Sequence, residues 1–347
     1  MRFLKNLLLF LILVAALLVG VAFVLPDSAH VERTITINRP VSEVFAVLNS
    51  YRRFNDWSPW ATKDPNAKYT ITGPAAGVGA KMSWVGDPKT VGSGSQEITA
   101  STPDKALATA LDFGDMGKAT AHFALSPATA PGNTKVVWTL DTQAPLAVDG
   151  KIVWNVIGRY MGLFMDKMVG PDYELGLARL KTLVEGFPVA DIAGVQGEEV
   201  QRAAQKIYFV SGSSGTDADS AKLALTEAYT KLGEFIKTNG LVMQGAPMTI
   251  TTSYDANGWK FDAAMPVDRN DVPPAGDIKN AETYAGKAVQ FTHVGAYDKI
   301  GDTTQKAYAW LAVQGYKPKD RLIEEYISDP GNTPTEQLQT RLVIPVQ

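Results

Sequence analysis

The sequence contains no cysteine, which excludes disulfides, thiol nucleophiles and thiolate metal sites together. Histidine is almost as scarce: the chain has His30, His122 and His293, and no two of them stand at metal-ligand spacing. Lys and Arg number 33 against 36 for Asp and Glu, and the two signs are interspersed, so no broad basic face is available for nucleic acid. We therefore expect no metal, no other cofactor and no nucleic-acid partner.

Charge is missing altogether from the stretch between Leu7 and Leu25. A helix of this length reaches about 28 Å, close to the thickness of a bilayer core. The run is longer than the hydrophobic part of a signal peptide, and Asp27-Ser28-Ala29 is a poor cleavage site. The sequence therefore predicts a retained, single-pass transmembrane helix over residues 7–25 rather than a cleaved leader.

The charges around this run set its orientation. Arg2 and Lys5 precede it, so the positive-inside rule keeps the short N-terminus in the cytoplasm. The rest of the chain, which is long enough for two hydrophobic cores, is then expected outside the inner membrane of a bacterium, in the periplasm. The predicted organisation is an anchor with a short linker (1–30), a first domain (31–186), a linker (187–199) and a second domain (200–347).

The first domain is predicted to be a run of strands with a helix near each end. Residues 31–38 alternate between apolar and polar side chains, and Arg39-Pro40 then opens a short helix. A long helical pattern over residues 153–185 closes the domain and is interrupted at Gly170-Pro171. The other predicted strands, separated by Gly, Pro, Asn and Asp, are 68–72, 80–85, 95–100, 105–113, 120–125 and 135–141.

This order of elements, with the turn Trp57-Ser-Pro-Trp60 and a final helix that carries Gly176-Leu-x-x-Leu-Lys, resembles the polyketide cyclase/START-like (SRPBCC) superfamily. The resemblance implies a curved sheet that grips the last helix around an apolar cavity. Because catalytic residues differ between the lipid carriers, receptors and cyclases of this superfamily, none is carried over. Aromatic and methionine side chains that either line such a cavity or form plain core are Trp57, Trp60, Trp84, Met161, Phe164 and Met165.

The second domain contains an internal repeat. Ala228-Tyr229-x-x-Leu232 recurs 79 residues later as Ala307-Tyr308-x-x-Leu311, and Met265-Pro266-Val267 recurs at the same offset as Ile344-Pro345-Val346. We therefore predict a duplicated unit whose two copies pair into one continuous sheet, with a groove along their pseudo-twofold junction. The predicted strand, helix, strand and strand of each copy are 204–210, 221–237, 248–254 and 260–267, then 289–294, 303–314, 322–328 and 340–346.

One predicted strand carries an unusual carboxylate. In an extended strand side chains alternate between faces, so Leu322, Glu324, Tyr326 and Ser328 share one side. A glutamate between an aliphatic and an aromatic neighbour either faces water, pairs with a basic side chain, or stands in a groove that receives a positive ligand. The strand pattern alone leaves all three open.

Two motifs, Phe291-x-His293-x-Gly295-x-Tyr297 and Glu324-x-Tyr326-Ile-Ser-Asp-Pro330, together with the duplication, resemble the GyrI-like family. This family is related to the effector-binding domains of AraC- and MerR-type regulators. The resemblance implies binding of small, often cationic and aromatic molecules between the repeats, with Glu324 as the anionic anchor. Glu325 replaces a residue that is commonly aliphatic, so Glu325 is the alternative anchor.

The remaining binding residues are predicted from their strand faces. Trp259 and Phe261 share one face of a strand and are candidate walls for a flat cation, alongside Tyr326 and Tyr208. His293 is expected to have a structural role in its turn rather than a catalytic one. The helix-turn-helix that accompanies related effector domains in transcription regulators is not recognisable, and the apolar N-terminal segment stands in its place.

The sequence as a whole predicts an α+β protein: a transmembrane helix, a helix-grip domain and a duplicated βαββ domain. We expect a membrane-anchored protein that binds hydrophobic or amphipathic small molecules, cationic ones among them, as a sensor, scavenger or carrier. One alternative is a hydrolase of lipid-like or reactive cyclic compounds that uses Glu324 and Tyr326. The other is an interaction module whose grooves receive a segment of a partner protein.

Overall fold

The computed structural model describes residues 2–144, 147–148, 151–152 and 156–347. The chain divides into two compact units, and the boundary follows Ala193. Each unit combines one antiparallel sheet with helices, so the predicted α+β class is confirmed. The boundary lies inside the segment 187–199 that the sequence suggested as a linker, and Glu198 and Glu199 of that segment already belong to a strand.

The first unit is a sheet with a long helix against it. Its seven main strands pair antiparallel in the order β1, β7, β6, β5, β4, β3, β2, and β8 and β9 form a separate hairpin. The strands are β1 (Ser28–Ile37), β2 (Lys68–Thr72), β3 (Lys81–Val85), β4 (Ser93–Thr102), β5 (Ala106–Asp112), β6 (Lys118–Pro127), β7 (Thr134–Gln143), β8 (Ala147–Val148) and β9 (Lys151–Ile152). The helices are α1 (Arg2–Ala22), α2 (Val41–Leu48), α3 (Phe54–Trp57), α4 (Trp60–Lys63), α5 (Val156–Gly162) and α6 (Met165–Glu185).

The N-terminal helix α1 is almost entirely apolar. Residues Phe3–Ala22 have a mean hydropathy of 2.6, and their large side chains are exposed. Among the described helices it is the one that is long and apolar enough to cross a membrane, judged by length and composition. The helix ends at Ala22, three residues before Leu25, the end of the uncharged run.

Helix α6 continues through Gly170-Pro171, so the predicted interruption at this point was wrong. Arg33 of β1 explains why: its guanidinium bonds to Asp166 at 2.7 Å and to Glu174 at 2.7 Å, one on each side of the proline. Gly170 leaves the room for this guanidinium, because a Cβ there would lie 2.0 Å from the Arg33 Nη2 atom. We infer that this bridge offsets the backbone hydrogen bond that a proline removes from a helix.

Aromatic rings fill the space between the sheet and α6. Trp138 of β7 stacks on Tyr173 of α6 with ring centroids 3.6 Å apart, and on Phe123 of β6 at 5.0 Å. Trp57 meets Trp138 edge-on at 5.5 Å. Gly176 allows this close approach, since a Cβ there would lie 3.0 Å from the Trp138 ring. The core of the first unit is therefore a stack of rings clamped by a helix.

The six residues proposed from the sequence as cavity lining do not form one wall. Trp57 and Trp60 pack edge-on against Trp138 in the ring stack. Trp84 lies elsewhere on the sheet, where its Nε1 donates to the carbonyl of Val91 at 3.2 Å. Met161 and Phe164 are 41% and 55% exposed, and Met165 opens helix α6. The structure therefore favours the plain-core reading for Trp57 and assigns Met161 and Phe164 to the surface.

The second unit is one eight-stranded sheet with two long helices on one face. Its strand order is β10, β15, β17, β16, β12, β13, β11, β14. The strands are β10 (Glu198–Arg202), β11 (Lys206–Ser214), β12 (Met248–Asp255), β13 (Gly258–Pro266), β14 (Ile278–Glu282), β15 (Gly286–Val294), β16 (Ile323–Tyr326) and β17 (Gln339–Pro345). The helices are α7 (Ala218–Thr238) and α8 (Ile300–Gln314).

The strand register confirms the predicted duplication. Thr249 of β12 pairs with Ala263 of β13, and Glu324 of β16 pairs with Leu342 of β17. Ala263 and Leu342 are related by the 79-residue offset, so Thr249 and Glu324 are equivalent positions of the two copies. These two residues also pair directly with each other. The pseudo-twofold axis therefore passes between them, at the centre of the sheet.

The tight contact at Gly176 gives a stability prediction. We expect Gly176→Leu to lower the free energy of unfolding of the first unit by about 2 kcal/mol, because the new side chain overpacks the space beside Trp138 and Pro59. The control is Gly233→Leu in α7, where nothing lies within 4 Å of the added Cβ and the variant gains helix propensity of about 0.5–1 kcal/mol. Denaturant unfolding of both variants measures the difference, and equal stabilities would contradict the described fit of α6.

Candidate ligand-binding site

Strand β16 places its two adjacent glutamates on opposite faces of the sheet. Glu324 lies opposite Thr249 and Leu342, on the face that α7 and α8 cover. Glu325 lies opposite Met248 and Arg341 in the register and points to the other face. Both residues are buried, with 8% and 5% of their surface exposed, so neither is a solvated strand residue.

The carboxylate of Glu325 is already paired. Arg202 of β10 donates to its Oε1, and Arg341 of β17 donates to its Oε2 at 2.9 Å. Two guanidinium groups thus surround a single carboxylate. This arrangement connects the edge strand β10 to the centre of the sheet. The negative charge of Glu325 is already neutralised by the two arginines, so it is not available to pair with a ligand. The structure therefore favours Glu324 over Glu325 as a candidate anchor.

Glu324 is held by hydroxyl groups alone. Tyr326 donates to its Oε2 at 3.2 Å and Thr249 donates to the same atom at 3.4 Å, while the two hydroxyl oxygens lie 3.1 Å apart. No ion pair reaches this carboxylate from any residue that the structure describes. Burial raises the pKa of Glu324 to about 7, and the two hydroxyl bonds act in the opposite direction. The group therefore changes charge near neutral pH.

Four tyrosines surround this carboxylate, and we call Tyr229, Tyr297, Tyr308 and Tyr326 the tyrosine cluster. Tyr326 meets Tyr297 edge-on at 5.4 Å and Tyr229 at 6.4 Å between ring centroids. Tyr229 comes from α7 and Tyr308 is its repeat equivalent in α8, so each copy contributes one ring. Burial raises the pKa of both, and the negative charge of Glu324 raises each further. Tyr297 is 37% exposed, whereas the other three rings are half-buried.

The structure brings together only some of the residues proposed from the sequence. Glu324 and Tyr326 are in contact. Trp259 lies on the same face of the sheet, where its Nε1 donates at 3.1 Å to Thr251, two residues from Thr249, and its ring packs against Phe261. Tyr208 is fully buried and donates to the carbonyl of Val272 at 2.7 Å. Phe261 is 1% exposed in the core beneath α7. We therefore omit Tyr208 and Phe261 from the proposed site.

Sequence reasoning missed Thr249, Tyr229, Tyr297 and Tyr308 as neighbours of Glu324. The signal was present for three of them, since Tyr229 and Tyr308 define the repeat and Tyr297 ends a motif. Thr249 has no such signal, because its role comes from pairing across the pseudo-twofold axis.

His293 holds a turn, as expected. Its Nε2 donates to the carbonyl of Ala296 at 3.1 Å, so its Nδ1 accepts from the hydroxyl of Thr303 at 2.7 Å. Both ring nitrogens are occupied by these contacts. Within the described residues, moreover, no group of three or more acidic or histidine side chains could hold a metal ion.

A pocket opens on the opposite face of the same sheet. Its cavity volume is about 50 Å³, and its lining includes Ile207, Ile250 and Ile323. Asp262 and Arg321 lie at its edge and pair with each other at 3.0 Å. Because Glu324 points to the helix-covered face, this pocket is separate from the site within the tyrosine cluster.

Comparison with known families and structures follows this division of the chain. Residues 28–185 match the family described as polyketide cyclase / dehydrase and lipid transport. Residues 197–347 match the GyrI-like small molecule binding domain. Both matches agree with the resemblances found in the sequence, in the same order, and both families support ligand binding. No curated protein matches the chain.

Three similar solved structures each cover a little less than half of the chain. The EcmrR C-terminal domain is 20% identical, with 44% of this chain and 98% of that chain covered and a TM-score of 0.39. A hydrolase from Listeria innocua is 16% identical, with 44% and 92% covered and a TM-score of 0.33. Norcoclaurine synthase from Thalictrum flavum, in complex with dopamine and hydroxybenzaldehyde, is 11% identical, with 45% and 86% covered and a TM-score of 0.34.

The raised pKa of Glu324 predicts a pH-dependent stability. A folded-state pKa of about 7 against an ordinary 4.5 means that the protonated form is favoured in the folded protein. This contribution is complete below pH 4.5 and is lost as the pH rises through 7, an effect of about 3 kcal/mol at most. Glu324→Gln removes it, so between pH 5 and pH 8 the wild type should lose stability relative to the variant. Denaturant midpoints at the two pH values measure this, and parallel changes in both proteins would refute it.

Because Glu325 is ion-paired, we expect its neutralisation to destabilise the protein, unlike the neutralisation of Glu324. Glu325→Gln leaves Arg202 and Arg341 without their shared carboxylate, which we expect to cost about 3 kcal/mol of unfolding free energy at pH 8. At the same pH, Glu324→Gln should be neutral or stabilising. If the same denaturant titration shows the two neutral variants to be equally stable, the assignment of the two glutamates to different environments is wrong.

Proposed function

We propose that this chain, in which a polyketide cyclase/START-like domain precedes a GyrI-like small molecule binding domain, is a membrane-anchored, extracytoplasmic receptor for hydrophobic or amphipathic small molecules, cationic ones among them. The observation that carries the proposal is the carboxylate of Glu324, which is buried at the junction of the two repeats and, among the described residues, has only hydroxyl partners. A buried carboxylate costs several kcal/mol unless a positive group pairs with it. The ligand supplies that group.

The tyrosine cluster supplies the rest of the recognition. A cation over the face of an aromatic ring gains roughly 0.5–2 kcal/mol, and rings from both repeats converge on Glu324. Tyr297 is 37% exposed, so in this proposal the ligand reaches the cluster on the side of this ring. Trp259 extends the aromatic lining through its bond to Thr251. The site thus selects ligands that combine a positive charge with a flat or apolar body.

The N-terminal helix supports the placement at a membrane. Helix α1 is apolar over Phe3–Ala22, and Arg2 and Lys5 lie at its start. With the positive end retained in the cytoplasm, both domains lie on the outer side. A protein in this position meets amphipathic compounds as they reach the bilayer. Sensing, scavenging and carrying all begin with this capture step, and the description of the first domain's family as one of lipid transport is compatible with it.

A second candidate function is a hydrolase of lipid-like or reactive cyclic compounds. The specific observation is that the Glu324 carboxylate, with a pKa of about 7, lies 3.2 Å from the hydroxyl of Tyr326. A carboxylate with this pKa both accepts and donates a proton at neutral pH, as a general acid–base catalyst requires. In this reading Glu324 activates water or protonates the leaving group, and Tyr326 orients the carboxylate.

The binding proposal predicts a defined response to mutation and to pH. In a titration of cationic aromatic dyes against the full chain in detergent, Glu324→Gln should weaken the affinity by about 10- to 100-fold, the equivalent of roughly 1.5–3 kcal/mol for a charged partner. Affinity of the wild type for a permanent cation should rise between pH 5 and pH 8, because the carboxylate must lose its proton first. Fluorescence polarisation of the dye measures both effects.

The matched control is Tyr208→Phe, which removes a tyrosine hydroxyl from the core beneath α7 rather than from the tyrosine cluster. It should leave dye affinity unchanged. Consumption of a dye or of a cyclic ester by the wild type but not by Glu324→Gln would support the hydrolase. Absence of binding and of turnover in the wild type would refute both and favour the interaction module.

A further inference from the structure

The surface of the first unit carries an apolar stripe beside the N-terminal helix. Ile157, Met161, Phe164 and Met168 are 77%, 41%, 55% and 52% exposed. We call these four residues the α5–α6 stripe. Large apolar side chains that are exposed singly are ordinary, but a contiguous row of them marks a surface that another apolar phase covers.

The four residues follow one another at helical spacing. They are separated by four, three and four positions, which places them on one side of a helical path. A hydrogen-bonded turn joins α5 to α6, since Leu163 N donates to Tyr160 O at 3.2 Å and Phe164 N donates to Met161 O at 3.0 Å. Met168 N then donates to Phe164 O at 3.0 Å. The stripe is therefore a continuous face rather than a scatter of side chains.

Polar side chains on the other sides of α5 bind the end of α1. The hydroxyl of Tyr160 donates to the carbonyl of Leu18 at 2.7 Å. Arg159 donates to the carbonyls of Leu25 and Ala144. A guanidinium at the C-terminal end of a helix also interacts favourably with the helix dipole. Helix α5 is thus fixed against the last turn of α1, with its apolar side exposed.

We propose that the α5–α6 stripe lies in the interfacial layer of the membrane that α1 crosses, so that the first domain rests on the lipid surface rather than hanging from a flexible tether. This inference rests on the proposed membrane anchorage. Its additional content is a second, peripheral contact with lipid, made by residues outside the anchor.

The position of α5 along α1 indicates that a bilayer covers the α5–α6 stripe. Leu18 lies four residues before the end of α1, which corresponds to about 6 Å along the helix axis. Apolar faces of interfacial helices enter the headgroup and acyl boundary by about 5–10 Å. A segment bonded to Leu18 is therefore at the depth of this boundary, and Tyr160 takes the interfacial position that tyrosines favour.

The charges near the stripe agree with this placement. Asp166 follows Phe164 closely in sequence, but its carboxylate turns to Arg33 on the sheet, at 2.7 Å. Its charge is therefore paired with a guanidinium, while 64% of its side chain stays exposed. Met168 returns to the apolar face one turn after Phe164.

The absence of cysteine makes a direct test possible, because single cysteines can be introduced and labelled in the full chain. Ile157→Cys and Phe164→Cys report on the stripe, Leu11→Cys on the middle of α1, and Val85→Cys, at a position 63% exposed on β3, on the solvent side. Each variant receives an environment-sensitive fluorophore and is reconstituted into vesicles of equimolar phosphatidylcholine and phosphatidylglycerol. Quenching by doxyl-labelled lipid is compared with quenching by aqueous iodide.

We expect lipid quenching and protection from iodide at Leu11, the reverse at Val85, and lipid quenching with a blue-shifted emission at Ile157 and Phe164. Iodide quenching at both stripe positions, with Leu11 still in lipid, would overturn the peripheral contact and leave the anchor intact. Protection from both quenchers would also overturn it, in favour of a second copy of the chain on the stripe. Iodide quenching at Leu11 would overturn the anchorage and the contact together.

Discussion

The pairing of Thr249 with Glu324 at the centre of the eight-stranded sheet is the constraint on which the candidate site depends. Strand side chains alternate between faces, so this pairing sends Glu324 to the helix-covered face and Glu325 to the other. A shift of one residue in the register would turn Glu325 to the helix-covered face and break its ion pairs with Arg202 and Arg341. The double ion pair of Glu325 therefore also fixes the position of its neighbour.

Duplication with divergence gives the site its chemistry. Glu324 and Thr249 are equivalent positions of the two copies, so a fully symmetric ancestor would place two like groups at the axis. Two carboxylates at this distance would raise each other's pKa and would be costly to bury. One carboxylate with a hydroxyl opposite avoids that cost. The two copies remain alike at Tyr229 and Tyr308, so each copy contributes one aromatic ring to the tyrosine cluster.

Much of the fold could be predicted from local patterns, because alternation and helical spacing are properties of a single segment. Alternation also placed Glu324 and Tyr326 on one strand face, but their assignment to a binding site came from the resemblance of their motif to the GyrI-like family. The continuity of α6 through Pro171 was not predictable from local patterns, since it depends on Arg33, which is distant in sequence. Tyr208 was predicted to line the binding site, but it lies in the core beneath α7. Its strand pattern gives the face of the sheet and does not show which helix packs over it. Burial and pairing across a sheet depend on contacts between distant segments, and the sequence of one strand does not reveal them.

The raised pKa of Glu324 has a consequence for the energetics of ligand uptake. In the proposed receptor, a monovalent cation that binds while Glu324 is protonated displaces a proton and adds no net charge. The exchange is then electroneutral, and the low-dielectric interior never holds an isolated ion of either sign. In the proposed receptor, the proton and the cationic ligand compete for the same carboxylate, so a lower pH favours release of the ligand.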